Sequence, residues 1–93
     1  MMGMFLVHST PARVLFDSGA SHSFVTEPFV KKSGMTPTIM RRPMVVQIPG
    51  STAKTRLSCK QVPIIIQGVS FQAELIVLGA QGLEVILCQH PGF

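Results

Sequence analysis

Apolar residues in this chain come in short runs, and Pro, Gly, Ser or Thr clusters break them about every ten residues, which restricts it to a small closed or sandwiched β-fold. The spacing predicts strands over residues 4–8 and 12–16. Ser9-Thr10-Pro11 is expected to be the turn between them, because proline fixes φ and ends a ladder. Val14 and Phe16 then share one face, with Arg13 and Leu15 on the other. Residues 17–21, small and polar with one glycine, read as a loop at a strand end. Further strands are expected over 44–48, 53–58, 62–67, 71–78 and 83–87. Pro49-Gly50-Ser51 and Gly68-Val69-Ser70 are the expected hairpin turns, and 79–82 a break. One helix is expected over 27–32. Thr26 can cap it, Glu27 sits near its positive end and Pro28 fits its first turn. Lys31 and Lys32 suit the negative end, and Gly34 can end it.

Ninety-three residues allow one domain at most, and a chain this short is only marginally stable by itself. Its 46% hydrophobic and 13% charged residues exclude disorder. With no Trp and no Tyr, six Phe with the Val, Ile and Leu must build the core; Met35, Met40 and Met44 read as filler of that core. The net charge of +4 arises mostly from scarce acids: Asp17, Glu27, Glu74 and Glu84 are all of them. Among the basic residues only Lys31-Lys32 and Arg41-Arg42 are adjacent, and no Tyr or Trp platform accompanies them. They read as solvated faces, and no specific nucleic-acid partner is expected. No apolar run can span a membrane, and no basic segment precedes the short apolar start. A soluble, cytoplasmic protein is therefore expected. Cys59 and Cys88 lack metal spacing and read as free thiols of a reducing compartment, although their spacing leaves a disulfide open.

Chemistry points to Asp17-Ser18-Gly19-Ala20. As a bare triplet, Asp-Ser-Gly is an ordinary turn. Here the apolar strand Val14-Leu15-Phe16 delivers the carboxylate to the edge of a core, where its surroundings can tune it. Ser18 could bond across to a partner loop, Gly19 permits a tight turn, and Ala20 adds no bulk where two such loops meet. Activating a water by carboxylates takes two of them, close enough to share one proton. Asp17 is the only Asp in the chain, so a second copy must supply the other across a two-fold axis. Other chemistries lack their parts. His8, His22 and His90 have no ligand spacing, no Gly-x-Ser-x-Gly elbow surrounds Ser18, Ser21 or Ser23, and Gly50 and Gly82 form no phosphate loop. No metal or cofactor is expected.

The segment Val14-Leu15-Phe16-Asp17-Ser18-Gly19-Ala20-Ser21-His22-Ser23-Phe24-Val25 resembles the active-site segment of retropepsin-like aspartic proteases from plant gypsy-type LTR retrotransposons. The resemblance continues through Lys31-Lys32-Ser33-Gly34-Met35, Val46-Gln47-Ile48-Pro49-Gly50-Ser51, Cys59, Val62-Pro63-Ile64, Phe71, Glu74-Leu75-Ile76-Val77-Leu78 and Glu84-Val85-Ile86-Leu87. It implies a mainly β fold: a small closed acid-protease-like β-barrel, the half of a retropepsin, with one short helix. It also implies an aspartic endopeptidase that works as a homodimer on an extended peptide, the element's own polyprotein. Asp17 would be catalytic, with Ser18, Gly19 and Ala20 in the active-site loop. Pro49, Gly50 and Ser51 would form a substrate-binding flap. Two departures from the family pattern stand out. Cys88 replaces a glycine after the last core strand, where a side chain is expected to crowd the active-site loop. The helix that the family carries next is missing, so residues 1–93 are expected to be one domain incomplete at its C-terminal end. The alternative is an inactive protease-like remnant, serving at most as a dimerisation or peptide-binding module.

Overall fold

A computed structural model describes residues 2–17, 22–48, 51–79 and 83–88. Within them the order is β1 Met2–Val7, β2 Thr10–Asp17, β3 Ser23–Thr26, α1 Glu27–Ser33, β4 Thr38–Ile48, β5 Ser51–Ile66, β6 Val69–Leu78 and β7 Val85–Cys88. The sheet runs β1-β2-β7-β3-β6-β5-β4, and β1 also pairs with β5 through Leu6↔Ile65 and Val7↔Ile64. That pairing closes six strands into a barrel and leaves β4 outside, paired with β5 alone. The expectation of a mainly β closed barrel with one short helix holds.

Several boundaries differ from the sequence reading, each for a local reason. The first turn is His8-Ser9, not Ser9-Thr10-Pro11. Both residues take left-handed φ, 52° and 60°, as a two-residue hairpin turn requires. Pro11 lies inside β2 opposite Leu6, one pair beyond the closing pair Val7↔Thr10. Antiparallel pairs alternate between bonded and non-bonded, so a proline in this second pair costs the ladder nothing. The turn expected at Gly68-Val69-Ser70 is likewise a two-residue one, Gln67-Gly68, with φ of 51° and 80°; Val69 and Ser70 already belong to β6.

The strands expected over 53–58 and 62–67 are one strand, β5, sixteen residues long. It survives Pro63 because a bulge between Cys59 and Val62, with Gln61 at φ 55°, shifts the register. β4 begins at Thr38 rather than at residue 44. Pro43 is accommodated because the β4–β5 register breaks between Ile39 and Met44, on an edge strand. Residues 23–26, for which no strand was expected, make a full strand between β7 and β6.

Helix α1 ends as expected: Gly34 takes φ 76° and its N–H donates to the Val30 carbonyl at 3.1 Å. Thr26 stands at the N-cap but does not cap by its side chain. Its hydroxyl and its N–H both donate to the Glu84 carbonyl, at 3.4 and 3.0 Å, tying β3 to the start of β7.

Inside the barrel, Val7, Val14, Val25, Ile64, Leu75, Val85 and Leu87 are almost wholly buried, and α1 adds Phe29 and Val30 to the same core. Phe16 leans on it from β2, as the alternation predicted, and meets Phe5 edge to face at 5.8 Å. Met35 is in this core; Met40 and Met44 pack against a second cluster described below. Ser58, at 0% exposure, has no partner for its Oγ among the described residues. A buried hydroxyl with no bond is a net cost, so Ser58→Ala should raise stability by about 1 kcal/mol. Chemical denaturation would show this as a higher midpoint at unchanged slope, and a lower midpoint would refute it.

Candidate active site

Asp17 is the last residue of β2 and is exposed. The three residues before it run from the buried Val14 to the half-buried Leu15 and Phe16, so the carboxylate sits where the strand leaves the core. This placement is the one inferred from the sequence. Ser18, Gly19 and Ala20 lie outside the described residues, as do Pro49 and Gly50. Of the expected flap only Ser51 is described, at the start of β5 and opposite Ile48.

β2, β7 and β3 lie side by side at this end of the barrel. β7 runs parallel to β2, with Asp17 opposite Cys88, and antiparallel to β3. Cys88 has no left-handed φ, so the residue expected to suit glycine better sits in ordinary strand backbone. Ser23 Oγ accepts from the Cys88 N–H at 3.1 Å and donates to its Sγ at 3.5 Å. Neither cysteine is in a disulfide. Burial pushes the Cys59 thiol up, which keeps it protonated and makes it a packing group rather than a nucleophile.

Glu84, just before β7, holds neighbouring elements in place. Its Oε1 accepts from the Arg13 N–H at 2.8 Å, and its Oε2 lies 3.6 Å from Lys32 Nζ at the end of α1. The ion pair is well exposed on the lysine side and contributes little; the bond to the backbone of β2 is the more useful of the two.

The β4–β5 hairpin folds back over the outside of the barrel. Its Val46 packs with Phe24, Ile76 and Leu78 of β3 and β6, and Met40, Met44, Ala53 and Ile86 surround them. This apolar cluster lies beside the strands that carry Asp17 and Ser23. The sequence reading missed it as a feature of the site. Its signal was the unbroken apolar stretch Leu75-Ile76-Val77-Leu78, in which alternate residues must serve two different packing surfaces. Among the described residues, no group of three His, Cys, Asp or Glu could hold a metal ion, and no helix is long and apolar enough to cross a membrane.

A barrel of this topology, with an aspartate at the end of its second strand and an outer hairpin folded over it, is the frame of an acid protease subunit. The sequence pattern of the retroviral aspartyl protease family matches residues 1–90, and the chain belongs to that family. The fold is similar to that of EIAV protease, solved with the inhibitor HBY-793, with TM-score 0.76 and 22% identity over 95% of this chain and 80% of that one. It is similar to the retroviral protease-like domain of Ddi1 from Leishmania major, with TM-score 0.71 and 14% identity over 95% and 70%. It is also similar to the Simian Foamy Virus (mac) protease, with TM-score 0.61 and 16% identity over 95% and 87%. No curated protein matches the chain by sequence.

Proposed function

We propose that the chain is an aspartic endopeptidase that cleaves a polyprotein of a plant gypsy-type retrotransposon and works as a homodimer in the cytoplasm. One observation carries this reading: the only Asp of a family member stands exposed at the end of β2, which is where a shared site would need it. In the dimer, one Asp17 carboxylate takes a proton from water as the water oxygen attacks the scissile carbonyl carbon. The other, protonated, gives its proton to the carbonyl oxygen. The first carboxyl then gives the proton it took to the amide nitrogen, the second takes one back from a hydroxyl of the tetrahedral intermediate, and the C–N bond breaks to leave a carboxylic acid and an amine. The extended substrate lies between the outer hairpin and the end of the barrel, with apolar side chains against the Phe24–Ile86 surface. Ser18, Gly19 and Ala20 support the carboxylates, and Pro49, Gly50 and Ser51 close over the peptide.

The second reading is an inactive remnant that only dimerises or holds peptides. Cys88 in the glycine position favours it. Concentration separates the two readings. Cleavage of fluorescein-labelled denatured casein at mildly acidic pH, per mole of chain, should rise with protein concentration in step with the dimer fraction from sedimentation velocity. Activity that stays proportional to a monomer would sink the shared site. A dimer without activity would leave the remnant.

A further inference from the structure

The chain leaves the sheet at Asp17 and returns at Ser23, and β7 lies between the two strands concerned. Cys88, the last residue of β7, meets both. On the β2 side its Cα is the register partner of Asp17. On the β3 side the backbone ladder pairs Val25 with Val85 and Phe24 with Ile86, and reaches no further. There the Ser23 side chain takes over from the ladder. Its Oγ accepts the Cys88 N–H at 3.1 Å and donates toward Sγ at 3.5 Å, using both the acceptor and the donor capacity of one hydroxyl. Neither residue is in a core cluster, so this pair does not hold the barrel together. What it fixes is the end of β7, between the point where the chain departs and the point where it comes back.

We infer that Ser23 is a positioning residue for Asp17, acting through Cys88. The hydroxyl pins β7 to β3, and β7 in turn gives the end of β2 a fixed lateral neighbour. Without the hydroxyl the Cys88 N–H loses this acceptor, the β7 end gains freedom and the carboxylate moves with it. A displacement of about 1 Å at a reacting group costs about a hundredfold in rate. The catalytic consequence rests on the protease reading; the hydrogen bonds do not.

The test compares the full chain with Ser23→Ala, Ser23→Thr and Cys88→Ala. Three quantities are read: kcat and KM on a quenched peptide selected from a random library for cleavage by the parent, and the exchange rate of the Cys88 amide. Ser23→Ala should lower kcat about tenfold to a hundredfold with KM changed less than about twofold, and should speed Cys88 exchange at least about tenfold. Ser23→Thr, which keeps the hydroxyl, should restore kcat to within about threefold of the parent. Cys88→Ala keeps the N–H···Oγ bond and should fall between. A parental kcat in Ser23→Ala, a loss confined to KM, or no rescue by Thr overturns the inference. If Ser23→Ala does not fold, Ser23→Cys, which keeps the size but offers only a weak sulfur acceptor, decides, and a parental kcat there with unchanged Cys88 exchange overturns it. If the parent shows no cleavage that depends on Asp17, the protease reading fails by itself. Exchange then decides the clasp, and an unchanged Cys88 rate in Ser23→Ala removes it.

Discussion

Asp17→Asn should cost the chain at least about a thousandfold in peptide cleavage while leaving its fold and its self-association intact. The asparagine has nearly the same shape, and position 17 is exposed and outside both apolar clusters, so stability has little to lose. On the proposed reading the chemistry has everything to lose, because one substitution in the only Asp would remove both carboxylates of the dimer. Mixing sharpens the measurement. With equal amounts of parent and variant, random pairing leaves roughly a quarter of the dimers with two aspartates, so activity should fall below simple dilution. Retained cleavage in the variant would refute the role of Asp17. Activity in the mixture equal to plain dilution would refute the shared site and leave Asp17 acting alone.

Phe29→Ala should have the largest effect on stability, a loss of about 3–5 kcal/mol. The ring is 1% exposed and is the largest fully buried side chain among the described residues. It is also what attaches the helix. α1 has seven residues, too few to persist by propensity alone, so its place depends on Phe29 and Val30 reaching the core. A domain of this size has about 5–15 kcal/mol in all, so the variant should melt far below the parent. The comparison must hold chain concentration fixed, since the proposed dimerisation would add to apparent stability. Ile39→Ala, at a position 76% exposed, is the control and should change stability by less than about 0.5 kcal/mol. A parental melting temperature for Phe29→Ala would mean that the helix contributes nothing to the barrel.

Local chemistry made much of this legible in the sequence. The apolar run ahead of Asp17, the helix signals from Glu27 to Gly34 and the turn residues around Gly68 located the elements correctly to within a few residues. The errors share a cause. Pro11 was read as a turn residue and the fourth strand was started only after Pro43, yet both prolines lie inside strands. Whether proline stops a strand depends on which edge its missing N–H faces, and on whether a bulge absorbs it. Both are properties of the partner strand, which local sequence does not reveal. The bonds that Ser23 and Glu84 make were illegible for the same reason: their partners are 65 and 71 residues away in the chain. The carboxylate could be found from its neighbours. The neighbours that hold its strand could be found only from the fold.

One strand, β5, belongs to the barrel and to the outer hairpin at once, and the hand-over is at Ser58, which pairs with Thr38 on one side and Ile76 on the other. Mechanically this is a lever with a buried fulcrum. From Ser58 to Ser51 the arm is about 23 Å long, so a tilt of about 5° at the fulcrum carries its far end about 2 Å. The load on the arm is apolar: lifting it pulls Val46 away from Phe24, Ile76 and Leu78 and wets all four. On the proposed reading, an extended substrate with apolar side chains would take over that load as it enters, and the force that holds the arm against the barrel would become the force that grips the peptide.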